Sequence, residues 1–202
     1  MSAPGNLYAT LAMAVPAPAE RLSTLPIVIA VALRRAIVSV TKADHWALKW
    51  PNDILGAKGK VAGILIEIER RGDASIALIG CGVNCAHHPD SVRYTASNLN
   101  VEGFAVGPEE LFQTLDGMIP MVLDAWGWGS AFEPLRREWS RHAPHLGRHI
   151  SVRLEDGEVS GVATHIDEYG RLAVRTMDGT VLVSTGDVVM SSPENRQEHA
   201  PI

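Results

Sequence analysis

Lys49-Trp50-Pro51-Asn52-Asp53 is followed, seven residues on from Asp53, by Lys60-Val61-Ala62-Gly63-Ile64-Leu65-Ile66-Glu67, and then by Gly80-Cys81-Gly82-Val83-Asn84. Residues 61–69 and 75–83 are rich in β-branched side chains and flank Arg71-Gly72-Asp73, which predicts an antiparallel hairpin. A short strand over 46–50, ended by Pro51, and a polar loop over 52–59 precede it. An amide, a carboxylate and a lysine therefore share one inter-strand loop, next to a strand that ends in paired glycines. Lysine brings a point charge for a carboxylate or phosphate. Asparagine can donate to and accept from an amide or a base edge. Glycines let a ligand approach the backbone, and an aspartate near phosphates can hold a magnesium ion or orient the lysine. Such a set suits activation of a carboxylic acid by a nucleotide. The same residues also fit a plain hairpin with a solvated loop, its glycines serving turns and bulges.

Upstream, 6–15 reads as a strand beginning within about half a dozen residues of Met1, and Pro16, Pro18 and Glu20 make a turn. Ser23 is placed to cap a helix over 24–40, with Pro26 tolerated in its first turn. That helix is apolar on most of its surface and is expected to be buried. After an irregular stretch over 85–107, Pro108 with Glu109 and Glu110 starts a helix to about Trp126, expected to bend at Gly117 and Pro120. A further helix spans about 132–142. Beyond Gly147, Asp156-Gly157, Tyr169-Gly170, Asp178-Gly179 and Gly186-Asp187 punctuate short strands at a spacing of about 8–12 residues, as in a small all-β barrel. The last dozen residues are polar and read as a disordered tail. The expected division is 1–146, 147–190 and 191–202.

The chain has 202 residues, 46% of them apolar, and a net charge of −5. The apolar content is sufficient for a core. The charge weighs against a nucleic-acid-binding face. No apolar stretch of about 18 residues and no signal sequence stand out, so no membrane association is expected. Two cysteines are too few for a disulfide framework, and a cytoplasmic location follows as the expectation. Cys81, Cys85, His87 and His88 look like a metal cluster at first sight. Cys81, however, lies mid-strand between glycines, and the histidines precede Pro89 without a second ligand pair at zinc spacing, so no metal ligands are assigned. Trp126, Trp128 and Trp139 read as core or interface residues. Lys49 reads as structural and Lys58 as solvated.

The three motifs and their spacing resemble the central signature of the biotin protein ligases. The opening Ser2-Ala3-Pro4-Gly5-Asn6-Leu7-Tyr8 and the closing β-module are similar to that family too, so the resemblance extends from about Ser2 to Met190. It implies an α/β fold of the α+β type. In that fold a mixed or antiparallel sheet with helices forms a catalytic domain lacking its N-terminal part, and a small C-terminal β-barrel follows. It implies an enzyme that forms biotinyl-5′-AMP from biotin and ATP with Mg2+. Biotin then passes to a lysine of a biotin carboxyl carrier protein, usually that of acetyl-CoA carboxylase. Lys60 matches the family's lysine at the biotin carboxylate and α-phosphate, and Asn52 and Asp53 match the pair on the nucleotide side. Gly80 and Gly82 match the glycines behind biotin, Asn84 an asparagine facing adenine, and Gly63 and Ile64 backbone positions along the pocket. Catalysis is thus expected of Lys60 and Asp53. No DNA-binding segment is recognised, and a homodimer is possible on family grounds.

The family's glycine- and arginine-bearing biotin loop has no counterpart here, and Ser191 falls about where some members carry an arginine that reaches the nucleotide. Each lost arginine contact would forfeit roughly 1.5–3 kcal/mol of charge-assisted phosphate binding. Two expectations follow. Either the start lies upstream, the favoured reading because the remaining motif is intact, or the chain is an inactive remnant or a non-catalytic nucleotide-binding or dimerising relative. A lipoate-transferring relative is disfavoured by the Lys49–Asp53 motif.

Overall fold

The computed structural model describes residues 4–71, 74–92 and 94–190. The expected 71–73 turn and 191–202 tail, with Ser191, lie partly or wholly outside the described residues. Five strands, β1 (Leu7–Val15), β2 (Ala47–Lys49), β3 (Asp53–Leu55), β4 (Lys60–Arg71) and β5 (Ala74–Val83), form one sheet in the order β1-β5-β4-β3-β2. Every pairing in it is antiparallel.

Register explains which residues are buried. Ala62 faces Val83, Ile64 faces Cys81 and Ile66 faces Ile79 across β4 and β5. These rows turn toward helix α1 (Leu25–Thr41), on which helices α2 (Pro108–Trp126) and α3 (Phe132–Arg141) pack in turn. Alternation then directs Gly63, Leu65, Gly80 and Gly82 to the opposite, open face.

Helix α1 is the centre of the core: Leu25, Ile27, Ile29, Leu33 and Ile37 are all essentially inaccessible. Each such side chain contributes about 1.5–3 kcal/mol by leaving water. Arg34, also buried, donates to the carbonyls of Trp46 and Asp44 at 2.7 and 2.8 Å and to the Asp44 carboxylate at 2.6 Å. A buried cation so satisfied ties α1 to the entry of β2.

Several sequence expectations need correction. Ser23 does not cap α1: its hydroxyl donates to the Glu20 carbonyl, within a 3-10 turn over Ala19–Thr24, and the helix begins at Leu25. The 52–59 segment is not all loop, because Asp53–Leu55 is a strand bonded on both sides, to β2 and to β4. Helix α2 is one continuous element from Pro108 to Trp126 with Gly117 and Pro120 inside it, as the sequence placed them. An apolar stretch long enough to cross a membrane does exist, Ala19–Thr41, but 72% of its most apolar window is buried inside the fold. It is the central core helix.

The second sheet, β6 (His149–Leu154), β7 (Gly157–Ile166), β8 (Leu172–Arg175), β9 (Thr180–Val183) and β10 (Asp187–Met190), has the order β10-β6-β7-β8-β9. It is antiparallel throughout, and among the described residues β9 and β10 are not paired, so the expected barrel is open along that seam. Its turns fall at the four predicted dipeptides. Gly170 is needed in one of them: φ is +78°, and a Cβ there would lie 3.0 Å from the Ser23 carbonyl oxygen.

Several contacts cross from the rest of the fold to this sheet. Trp50 Nε1 donates to the Gly170 carbonyl at 3.0 Å, Arg21 to the Glu168 carbonyl at 3.1 Å, Arg136 to the Ile166 carbonyl at 3.1 Å, and Lys49 to Asp187 at 2.7 Å. Arg21 and Arg171 also lie over the Tyr169 ring, each 5.3 Å from its centroid. The Trp50-Pro51 peptide is cis.

His145, at the start of this seam, is fully buried against the edge of Trp139, and neither ring nitrogen has a hydrogen-bond partner. Burial, assisted by the Lys49 charge, pushes its pKa down to about 4.

Two predictions follow from this packing. Leu33→Ala should cost about 2–5 kcal/mol in denaturant unfolding, whereas Leu182→Ala, on an exposed side chain, should cost far less. His145 should make the fold acid-sensitive. The unfolded imidazole takes up a proton near its ordinary value of 6.5, but the folded one does so only near 4. Its contribution is complete above about pH 6.5 and is lost as pH falls toward 4, a change of up to about 3 kcal/mol. Unfolding of His145→Phe followed over that range should show a correspondingly flatter pH dependence.

Candidate active site

The cleft between the two sheets encloses a cavity of about 300 Å3, walled by Lys49, Asp53, Lys60 and Tyr94 on one side and by Arg153, Asp187 and β10 on the other. At its floor Lys60 Nζ lies 2.5 Å from Asp53 Oδ1, with the Lys60 side chain 23% and the Asp53 side chain 12% exposed. The pair exists because β3 and β4 set Asp53 opposite Gly63, three residues beyond Lys60. A Cβ at Gly63 would stand 3.2 Å from Lys60 Nζ and 3.6 Å from Asp53 Oδ1. Gly63 is therefore the bare backbone on which the ion pair rests.

The glycines continue across the sheet. Gly63 faces Gly82, which faces Tyr8; Leu65 faces Gly80, which faces Thr10. The result is a strip of exposed backbone flanked by two large apolar side chains left in solvent, Tyr8 at 54% and Leu65 at 65% exposure. Such a platform admits a flat or compact ligand against the sheet, with its polar end at Lys60.

The other sequence candidates are nearby, some in unexpected roles. Asn52 donates to the Ile64 carbonyl at 2.6 Å while Ile64 N donates to the Asn52 carbonyl at 3.0 Å, so Asn52 clamps the open end of the β3–β4 hairpin. The Ile64 side chain is in the core, leaving its backbone as the part that borders the site. Asn84 Nδ2 is spent on the Ser97 carbonyl at 3.0 Å. Lys58 is not simply solvated: it donates to the Val101 carbonyl at 2.6 Å.

Sequence reasoning missed the segment after Asn84. Lys60 N donates to the Thr95 carbonyl and Ser97 N to the Lys60 carbonyl, a parallel bridge that stiffens the lysine's backbone. Tyr94 brings its ring 5.0 Å from Lys60 Nζ. Glu102 receives the amides of Ala57 and Lys58 at 3.0 and 2.9 Å and the Ser97 hydroxyl at 2.6 Å, pinning the loop that leads into Lys60. Apart from the Ser97–Glu102 contact, no local pattern in 85–107 could have shown this, because the other partners lie on another segment.

The cysteine and histidine group has other duties. Cys81 and Cys85 are free and buried, and burial pushes the Cys81 thiol up to about 11. Asn6 bridges to the backbone of Ala86 and His87, and His88 bonds Asn98 at 2.7 Å. Among the described residues no group of three or more His, Cys, Asp or Glu side chains is placed to hold a metal.

Comparison with known proteins agrees with this layout. Residues 1–84 match the Biotin/lipoate A/B protein ligase family and residues 145–191 the Biotin protein ligase C terminal domain. The chain is 34% identical over 198 residues to a biotin–[acetyl-CoA-carboxylase] ligase of Paracoccus denitrificans, covering 91% of this chain and 80% of that one. It is 32% identical over 159 residues to the corresponding ligase of Mycobacterium tuberculosis, covering 76% of this chain and 56% of that one. Among solved structures, a biotin protein ligase from Aquifex aeolicus in complex with biotin and ATP superposes with a TM-score of 0.75 at 23% identity, over 93% of this chain and 78% of that one, which speaks for a shared fold. With its ion pair on a glycine floor, its two antiparallel sheets and these similarities over nearly its whole length, the chain belongs to the biotin protein ligase family.

Proposed function

We propose that this chain activates biotin with ATP as biotinyl-5′-AMP and transfers it to a lysine of a biotin carboxyl carrier protein. The observation that carries the proposal is the Lys60–Asp53 pair standing at the end of the Gly63, Gly80 and Gly82 platform. The platform takes the fused rings of biotin against bare backbone, between Tyr8 and Leu65, and the valeryl carboxylate reaches Lys60. The carboxylate oxygen attacks the α-phosphorus of ATP, and pyrophosphate leaves with the electrons of the broken P–O bond. Lys60 stabilises the negative charge that grows on the phosphoryl oxygens during that step. Asp53 holds the ammonium in place. In the second step the carrier lysine amine attacks the acyl carbon, and AMP departs from it.

Mg2+ belongs to the same reading. Asp53 Oδ1 is taken by the Lys60 ammonium at 2.5 Å, whereas Oδ2 stands 3.9 Å from Lys49 Nζ and is the carboxylate oxygen left to share with a cation. A single carboxylate together with nucleotide phosphates is the usual provision for this ion, which then neutralises phosphate charge. Asn52 and Asn84, whose amides brace the walls of the site, are assigned to the nucleotide side. A domain division near residue 147, a cytoplasmic location consistent with two free buried thiols, and a homodimer are further parts of the proposal.

Biotin, ATP, Mg2+ and a carrier domain incubated with the chain should yield a carrier heavier by one biotinyl group, read by mass spectrometry. Lys60→Ala should lower the rate by at least about a hundredfold while leaving the thermal melt in place. An unmodified carrier with the unaltered chain would reject the proposal. Gly63→Ala supplies a finer check. The added methyl meets the flexible end of Lys60 rather than backbone, so the fold should survive while adenylate formation drops about tenfold or more. Full activity in that variant would show that the lysine does not need its present seat.

A further inference from the structure

Four charged side chains alternate in sign across the seam between the sheets. Asp187, opening β10, accepts from Lys49 Nζ at 2.7 Å. Lys49 Nζ is also 3.9 Å from Asp53 Oδ2, and Asp53 in turn meets Lys60 at 2.5 Å. Asp53 thus has two ammonium groups within reach, and only Lys60 borders the glycine platform. Side-chain exposure is 11% for Lys49 and 12% for Asp53, so neither is screened as a surface charge would be. Without a second carboxylate, Lys49 would be drawn the short remaining distance onto Asp53, where it would compete with Lys60.

We infer that Asp187 is a positioning residue for Lys60: by engaging Lys49 it reserves the Asp53 carboxylate for the lysine of the active site. The consequence for the rate rests on the reading of Lys60 given above; the effect on Lys60 itself does not. Asp187 is a poor candidate for a mere pin between the sheets. Trp50–Gly170, Arg21–Glu168 and Arg136–Ile166 hold the same seam without it. Asp187 therefore gives the C-terminal sheet a part in the chemistry of the first, through a contact that joins residues 138 positions apart.

The test is a double-mutant cycle on the full chain with two readouts. The first is the acetylation rate of Lys60 by trace acetic anhydride, followed by mass spectrometry, which needs no catalysis. The second is pyrophosphate release with biotin and ATP. Asp187→Asn should free Lys60 and raise its labelling about threefold or more, and slow pyrophosphate release about tenfold, with the melting temperature unchanged. Asp187→Glu should restore both. Lys49→Met alone should leave Lys60 labelling as it is. Lys49→Met combined with Asp187→Asn should return labelling to the starting value and release pyrophosphate faster than Asp187→Asn, because the competing ammonium is gone. If the double variant labels and turns over like Asp187→Asn, or if Asp187→Asn leaves Lys60 labelling unchanged, the inference is overturned. If the labelling pattern appears but the unaltered chain releases no pyrophosphate, the positioning role stands and the ligase reading fails.

Discussion

Asp53 sits opposite Gly63 where β3 crosses to β4, and that register presses its carboxylate against the Lys60 ammonium. Much of the site depends on that one pairing. A slip of a single residue would turn every β4 side chain to the other face. Lys60 would lose its carboxylate, Ile64 would leave the core, and the glycine strip would be broken by side chains. The register is held from both sides, by the hydrophobic row of Ala62, Ile64 and Ile66 beneath and by the Asn52–Ile64 clamp beside it. Core packing and site geometry are here the same constraint.

The first sheet consequently has two unlike faces. One is sealed by α1, whose apolar side chains are nearly all inaccessible. The other is kept bare by glycines, and its large apolar residues, Tyr8 and Leu65, remain in water. Leaving them uncovered forgoes burial energy and gains a surface on which an apolar ligand can settle. The charged pair stands at the margin, where solvent, both sheets and the segment from Tyr94 to Glu102 meet. The second sheet closes the cleft from above and brings two further charges, Arg153 and Asp187, to its rim.

Local signals were read well where the backbone alone sets the outcome. The hairpin strands β4 and β5, helices α1, α2 and α3, and the four turns of the second sheet follow from side-chain period, proline position and glycine conformation. Errors arose where a choice between neighbours is made by distant partners. Ser23 looks like a cap, yet its hydroxyl bonds back into a 3-10 turn. Asp53–Leu55 looks like loop, yet β2 and β4 flank it and satisfy its backbone. Residues 19–41 are long and apolar enough to pass for a membrane span, which the sequence reading overlooked, and their burial makes them the buried helix it expected.

By itself the sequence determined the identity of the chemical groups, their spacing and the family to which the motifs point. Lys60, Asp53 and the glycines at 63, 80 and 82 are legible through the resemblance of their motifs and spacing to the family's signature, since the residues alone also fit a hairpin with a solvated loop. Only the tertiary structure decided what surrounds them: Tyr94 beside Lys60, Glu102 bracing the loop, Asp187 holding Lys49 away from Asp53. The physical reason is range. Secondary structure and turn chemistry are settled over a few residues, whereas an ion pair or a cleft is settled by which distant segments the core brings together, and no periodicity in the chain records that choice.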